Sequence, residues 1–486
     1  MDTVKKNKKP NVFVRLWDSV RNWFVSFGKR FVDGSLGTKL SHFIFGAGNF
    51  YHGQIIKGLL YLLLQVGIIC FMVFCPEVNG TPYGYKALIN LQLGGTEGRT
   101  FDPETGEYSN SVSDDKLQLL FGLVTIAVIV IYVLLWLSNI KSSYKADTDQ
   151  KEGKKPTSFK QDCGALLDNR FHILMLTPTM IASLIFTILP TIFMICIAFT
   201  TYNDVDMSSE DTRLFYWNGF NNFIYMFSGQ NALGKEIAAR FLPVFGWTIV
   251  WAIFATFTCY FGGILLAILI NKKGLHGKKV FRTFFVLTIA VPQFISLLAV
   301  RNLFNNVGPI NSILMNLGWI SEPIAFFGGT SGHPGNEYLA KVMVIIINMW
   351  LGIPYTMLMT SGILMNIPTD LYEAARVDGA SRSKMFFKIT LPYVIFVTTP
   401  YLISSFIGNI NSFNTIFLLT GGAPEVTGYK AGGTDLLVTW LYKLTIDNGE
   451  YNTGAVIGII TFAITATITL ITYRRSKAYK EEDTFQ

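Results

Sequence analysis

Eight stretches of this 486-residue chain are apolar for long enough to cross a lipid bilayer, and that fact alone removes most folds. Hydrocarbon offers no water to peptide N–H and C=O groups, so a crossing segment must bond its own backbone as a helix or close into a barrel. Runs near or above the roughly 20 residues a helix needs fit the first solution and are too long for barrel strands. They lie at about 55–74, 117–137, 172–200, 243–270, 280–304, 339–364, 393–419 and 454–473, here spans one to eight. Charged residues are 15% of the chain against about 25% in soluble domains, as expected where much of the surface meets lipid. The expected fold is an all-α integral membrane protein with about eight transmembrane helices.

An even number of crossings returns both termini to one side, and most of the 40 Lys and Arg fall there. Asn271-Lys272-Lys273-Gly274-Leu275-His276-Gly277-Lys278-Lys279 and Tyr473-Arg474-Arg475-Ser476-Lys477 carry the bias most clearly. The positive-inside rule therefore puts both termini in the cytoplasm, and the net charge of +8 is accounted for by topology. The run Lys5-Lys6-Asn7-Lys8-Lys9 and the amphipathic stretch 12–32 behind it suit an anionic lipid surface and not a nucleic acid. The first fifty residues hold no short apolar core with a small-residue cleavage site, so no cleaved leader is expected. The expected order is a cytoplasmic segment 1–54, two spans with an external loop over 55–138, and a cytoplasmic linker 139–171. A six-span core over 172–473 and a tail 474–486 follow. The linker is expected to be flexible between 141 and 160, and the external loop 75–116 to have little structure. The external loop 202–240, with its acidic run and Trp217-Asn218-Gly219-Phe220-Asn221-Asn222-Phe223, suits a partner surface. Cys70, Cys196 and Cys259 sit in apolar runs and read as small buried hydrophobes.

Between spans six and seven, on the cytoplasmic side by the charge rule, residues 366–392 form a charged, Ala-rich segment. It reads Glu373-Ala374-Ala375-Arg376-Val377-Asp378-Gly379 and, after nine further residues, Ile389-Thr390-Leu391-Pro392. Thr369 is placed to cap a short helix whose Leu371, Ala374 and Ala375 give a small, close-approach face. Gly379 ends it, since Gly turns where other residues cannot. Ser381 can cap a second short helix, and Pro392 suits the first turn of the next run. Such a corner is a knob another protein can grip.

The pattern E-A-A, three residues, G, nine residues, I-x-L-P resembles the coupling loop of permease subunits in binding-protein-dependent ABC importers. The flanking Ile367-Pro368 and Phe386-Phe387-Lys388 are most similar to MalF-type subunits of maltose and maltodextrin importers, and the likeness covers about 174–472. It implies the type I ABC importer permease fold, with a MetI-like core of six helices, in the inner (cytoplasmic) membrane. It also implies a second homologous permease subunit, two cytoplasmic ATPase subunits and an extracytoplasmic sugar-binding protein as partners. By that resemblance Glu373, Ala374, Ala375, Asp378, Gly379, Ile389, Leu391 and Pro392 are the ATPase-coupling residues. Glu373 would supply the polar contact, Gly379 the turn, and the two alanines the close fit.

Charged groups are nearly absent from the span interiors; Arg301 and Lys341 lie near the ends. This argues against a proton relay and for a neutral polar cargo. In span six Asn348, Leu351, Gly352 and Tyr355 recur at three- and four-residue steps, as do Ser405, Gly408, Asn409 and Ser412 in span seven, so each set is expected on one helix face. Amides and hydroxyls can bond a sugar's rim and an aromatic can stack on its ring; the same residues can equally hold helices together. In the MalF-like pattern the segments Trp350-Leu351-Gly352-Ile353-Pro354-Tyr355 and Ser405-Phe406-Ile407-Gly408-Asn409 line a sugar cavity, which makes these two sets the candidate substrate-binding residues. Two departures matter: an aromatic wall position is Gly408 here and a nearby amide is Ser412. A third is that the loop 202–240 is too short for the large external domain of well-known members, since about forty residues make no independent core. Pro178, Pro190, Pro292, Pro354 and Pro400 are expected to interrupt their spans.

There is no G-x-x-x-x-G-K-S/T phosphate loop, no metal-ligand spacing among the histidines and no assembled Ser/His/Asp set. The expected chain is therefore a transport subunit with no catalytic residues, no metal and no cofactor of its own, ATP and Mg being used by partner ATPases. The function implied is import of a maltodextrin- or maltose-like oligosaccharide by alternating access. A galacto-oligosaccharide, another glycoside or a polyol phosphate would need the same frame and a different cavity. A secondary transporter would show inverted symmetry and intramembrane charges, and neither is seen.

Overall fold

The computed structural model describes residues 12–78, 81–93, 100–101, 108–109, 115–202, 217–229, 232–272, 274, 276–328 and 335–475. The basic run at 5–9, the acidic run in the loop after 202 and the tail beyond 475 lie outside these residues. Among the described residues seven helices are long and apolar enough to cross a membrane, and a bent pair makes eight if it is counted as one span. The seven are Ile55–Phe74, Gln118–Lys151, Phe171–Ile197, Gly234–Asn271, Glu337–Met365, Arg382–Ile410 and Tyr451–Arg474, which are spans one to four and six to eight.

The fifth span is not a single rod. Lys278–Ala290 and Gln293–Leu303 meet at 95°. Val291, which precedes Pro292, adopts an extended backbone with ψ 127°, as the proline ring demands. The other expected interruptions resolve differently. Pro178, Pro354 and Pro400 sit inside continuous helices, whereas Pro190 and Pro392 each follow a wide π turn, Leu184–Ile188 and Phe386–Thr390. In both, the turn ends two residues before the ring; the wider turn moves the carbonyl four residues back out of the ring's way. Span seven also stops early. Asn411 and Ser412 break the helix, and Phe413–Leu419 resumes beyond them. Their side chains bond locally, Asn411 Nδ2 to the Ile407 carbonyl and Ser412 Oγ to Thr415 Oγ1, which competes with the helix ladder.

The chain divides into two compact units, one of Met1–Cys196 with Ser209–Trp217 and one of Ile197–Ser208 with Asn218–Gln486. In the first, the amphipathic stretch is a helix, Val12–Val32. Trp17 and Phe24 are exposed, and Phe27 packs against Trp136 of span two. The helices Leu36–Leu40 and Ala47–Tyr51 are too short to satisfy their own ends, so buried amides do it. Gln65 of span one accepts from the Phe45 amide at 2.8 Å, and Asn139 of span two accepts from Gly46 and donates to the Ser41 carbonyl, both at 2.8 Å. The expected flexible linker is helical instead as far as Lys151, because it is held from the side. Asp147 accepts from the Ser35 amide, Gln150 bonds His52, and Lys57 pairs with Asp162 and donates to the Thr157 carbonyl. The external loop carries a helix, Tyr85–Leu93, and two short strand pairs.

In the second unit the helix Ala232–Asn271 is the spine. It starts well before the expected end of the loop, and successive turns face different partners. Ile237, Phe241 and Val244 pack on Trp440, Leu444 and Val456. Trp251 and Ala255 pack on Leu297, Val344, Ile347 and Ile416. Tyr260 and Ile264 pack on Val394 of span seven. Spans four and six touch through glycines: a Cβ on Gly263 would lie 2.5 Å from Thr356 Cβ, and one on Gly352 would lie 2.6 Å from Cys259 Sγ. Close approach of backbones is how helices associate without a hydrophobic drive between them. Of the three cysteines expected to be buried, Cys259 is, while Cys70 and Cys196 are half-buried.

Candidate functional site

Two regions of the second unit carry the expected functional residues. The first is the corner between spans six and seven. Thr369–Val377 is a helix, but Pro368 and not Thr369 occupies its N-cap, and no side chain caps it. Thr369 is the first helical residue, its hydroxyl directed to Asp370. Asp370 in the first turn and Arg376 in the last oppose the helix macrodipole favourably. The C-terminus closes as a Schellman motif: the Gly379 amide donates to the Arg376 carbonyl at 3.0 Å and the Ala380 amide to Ala375 at 2.9 Å. Gly379 takes φ +72° there, the left-handed region that L side chains avoid. Its surroundings are open, with nothing within 4 Å of a would-be Cβ; conformation alone selects glycine.

Ser381 caps the next turn by accepting from the Lys384 amide, as expected. That turn is no separate helix, because Arg382–Ile410 runs on through the π turn into span seven. Tyr372 and Thr390 hydroxyls bond at 2.8 Å and tie the corner helix to this rod. Leu391 packs in the cluster of Tyr260, Ile264 and Val394. Ile389 is half-buried and Pro392 exposed. Glu373, Ala374 and Asp378 are exposed, and Val377 is 88% exposed. Asp370, Glu373, Ala374 and Val377 recur at helical spacing and form one open face of a rigidly rooted helix, with Ala375 turned partly inward.

The second region is the polar face of spans six and seven, and the structure splits both expected sets. Asn348 Nδ2 lies 3.5 Å from Cys259 Sγ and Gly352 abuts the same sulfur, so both are spent on the contact with span four. Leu351 packs with the Trp251 and Val344 cluster. Tyr355 alone of this set is mostly exposed, its ring 6.0 Å from that of Tyr401. In span seven, Asn409 Nδ2 donates to Thr256 Oγ1 at 2.9 Å and its carbonyl accepts from Trp251 Nε1. Ser405 is half-buried, while Gly408 is exposed with nothing within 4 Å of a would-be Cβ. Ser412 is not on this helix at all; it sits past the break, bonded to Thr415. The open stripe of span seven is Pro400, Ser404, Gly408 and Asn411. Ser404 and Asn411 were missed by the sequence reading, and a four-residue step from Gly408 would have found Ser404. The breaks of spans five and seven lie side by side, Gln293 Nε2 reaching Thr415 Oγ1 at 3.5 Å.

Comparison with known proteins places this arrangement. Residues 260–477 match the family model described as binding-protein-dependent transport system inner membrane component. The chain is 32% identical over 440 residues to the galactooligosaccharides transport system permease protein GanP of Bacillus subtilis, covering 90% of this chain and 96% of that one. It is 31% identical over 444 residues to the maltodextrin transport system permease protein MalC of Streptococcus pneumoniae, covering 90% and 95%. To the maltose/maltodextrin permease MalF of Escherichia coli it is 36% identical over 270 residues, 53% of this chain and 49% of that one. Among solved structures, a bacterial ABC transporter that imports the acidic polysaccharide alginate shares the fold, with TM-score 0.50 and 23% identity over 65% of this chain and 98% of that one. The chain is thus a multi-pass membrane permease and belongs to the family of inner membrane components of binding-protein-dependent transport systems.

Proposed function

We propose that the chain is one of two membrane subunits of an ABC importer for a neutral oligosaccharide of the maltodextrin type, driven by ATP hydrolysed on two separate cytoplasmic subunits. Both termini lie in the cytoplasm in this reading, and an extracytoplasmic binding protein delivers the sugar from the other side. The observation that carries the reading is the corner helix. Its open face of Asp370, Glu373, Ala374 and Val377 is small enough for close docking, and its root in the Tyr260 cluster ties any push on it to spans four and seven. Glu373 makes the polar contact with the ATPase subunit, Ala374 and Ala375 allow close fit, and Asp378 and Gly379 form the turn. Ile389, Leu391 and Pro392 hold the corner to its rod. The chain itself binds no nucleotide; ATP and Mg serve the partners.

For the sugar cavity, Tyr355, Ser405, Gly408 and Ser412 are the wall, while Asn348, Leu351, Gly352 and Asn409 hold that wall to span four. The open space at Gly408 favours a bulky chain of sugar units, and the lack of charge along the open stripe favours a neutral one. Similarity to a galactooligosaccharide permease over 90% of the chain gives a galacto-oligosaccharide as the second reading. Proteoliposomes containing all subunits, the binding protein and ATP should accumulate maltotriose or galactotriose against a gradient. Uphill uptake by this chain without ATPase subunits would refute the proposal, as would a complete complex that moves no saccharide.

A further inference from the structure

We infer that the permease carries a saccharide subsite of its own on the extracytoplasmic surface, in a cavity of about 580 Å³ lined by Lys235, Glu236, Thr427, Gly428, Tyr429, Lys430 and Glu450. The ligand class rests on the import reading above; the site does not.

Its location follows from helix length. Lys235 stands 36 residues before Asn271 on one helix, so about 54 Å separates them at 1.5 Å per residue. The hydrocarbon core is about 30 Å thick, and Asn271 bonds Ser361 close to the cytoplasmic corner. The cavity therefore stands clear of the lipid at the far end from that corner, where cargo first arrives.

The wall is rigid. Asp435, fully buried, accepts from the Gly432 amide at 2.8 Å, from Lys443 at 2.7 Å and from Thr439 at 2.9 Å. Thr434 bonds the Ala423 carbonyl and the Thr420 hydroxyl. Lys430 is pinned from two sides, its amide donating to Glu236 and its ammonium lying 3.4 Å from Glu450. Tyr429 projects from this platform, 40% exposed, with the Arg240 guanidinium 5.4 Å from its ring centre.

The free groups point to a sugar. Among the described residues the Tyr429 hydroxyl, the Lys235 ammonium and Oε2 of Glu236 make no hydrogen bond, so a donor, an acceptor and a ring are available together. Two lysines face two glutamates, and this balance gives no preference for an ionic ligand. A ring face for C–H groups and unspent polar atoms for hydroxyls suit a neutral pyranose chain, and the volume lies within the usual range of small-ligand sites.

Photoaffinity labelling of the complete complex in nanodiscs, without nucleotide or binding protein, tests this with a diazirine-bearing maltotriose and peptide mapping. Adducts are expected within 425–437. Excess maltotriose or galactotriose should compete and trigalacturonate should not. Tyr429→Ala should cut that labelling at least tenfold and Lys235→Gln, on an exposed side chain that folding does not need, about threefold. Labelling confined to spans six and seven, labelling that no neutral trisaccharide displaces, or labelling unchanged in Tyr429→Ala would overturn the inference. So would a Tyr429→Ala complex that loses only its stimulation by the binding protein, which would make the cavity a protein-docking surface. Uptake in proteoliposomes with no adduct at 425–437 removes this subsite alone; specific adducts with no uptake remove the import reading and leave the subsite standing.

Discussion

Gly379 offers the sharpest test, because its conformational and steric demands separate cleanly. It sits at φ +72° with nothing within 4 Å of a would-be Cβ, so Ala meets no clash and costs only the left-handed conformation, about 1–2 kcal/mol. Asn tolerates that region better and should cost less. Pro fixes φ near −65° and deletes the amide that donates to Arg376; the corner cannot form, at a cost of about 3 kcal/mol or more. A penalty of 1–2 kcal/mol changes the ratio of formed to unformed corner by a factor of about 5–30. The expected order of function is therefore Gly, Asn, Ala, Pro. The assay is co-purification of the ATPase subunits with the permease, followed by ATPase activity stimulated by binding protein and sugar. Membrane insertion should be the same in all four, since the corner lies outside the spans. Wild-type stimulation in Gly379→Pro, or an Ala variant as poor as Pro, would refute the argument from backbone conformation.

Gly352→Val should lower the melting temperature and yield without changing which sugar is carried, because its Cβ would press on Cys259 Sγ at 2.6 Å and overpacking costs about 1–3 kcal/mol; a shifted cargo preference in competition uptake would contradict this. Gly408→Trp should do the opposite, leaving thermal stability within about 0.5 kcal/mol while changing uptake across a panel of di- to hexasaccharides. Tyr372→Phe removes a hydroxyl bond of 2.8 Å to Thr390, worth about 0.5–1.5 kcal/mol, and should reduce stimulated ATPase with little effect on assembly. Asp435→Ala removes a fully buried acceptor of three hydrogen bonds and leaves the partly exposed Lys443 ammonium without its partner; it should destabilise the outer loop by about 1–3 kcal/mol, seen as proteolysis between spans seven and eight.

Much of the membrane architecture was legible because apolar length is a one-dimensional property; seven of the eight expected spans correspond to helices long enough to cross, and the eighth to a bent pair. The corner was legible too, because Gly379 and Ser381 act on their immediate neighbours. What failed was chiefly what depended on the partner helix, besides the local cap, which Pro368 and not Thr369 supplies. The set Asn348, Gly352 and Tyr355 does share a face, but that face straddles the edge of the contact with span four, so Cys259 takes two members and leaves the third open. Ser412 was assigned by counting along a helix that Asn411 had already ended. The linker read as flexible from composition is ordered by residues about a hundred positions away, such as Ser35 and His52. Sequence spacing carries no record of such distant contacts.

Under the proposed coupling, the same geometry sets how far a push at the corner travels. From Leu391 to Ile410 span seven is an unbroken helix of 20 residues, a lever about 30 Å long. A tilt of about 10° about its cytoplasmic end would carry Gly408, about 25 Å along it, sideways by about 4 Å. Its far end is not fixed rigidly: Asn411 and Ser412 interrupt the ladder, and beside them Pro292 interrupts span five. Two adjacent breaks allow the stripe to move while Phe413–Leu419 stays packed on Leu297 and Val344. A straight, uninterrupted span seven would drag that outer packing with it and meet the resistance of a close-packed core. Replacing Asn411 and Ser412 together by alanine should therefore extend the helix, stabilise the protein to heat, and slow uptake more than it lowers saccharide binding.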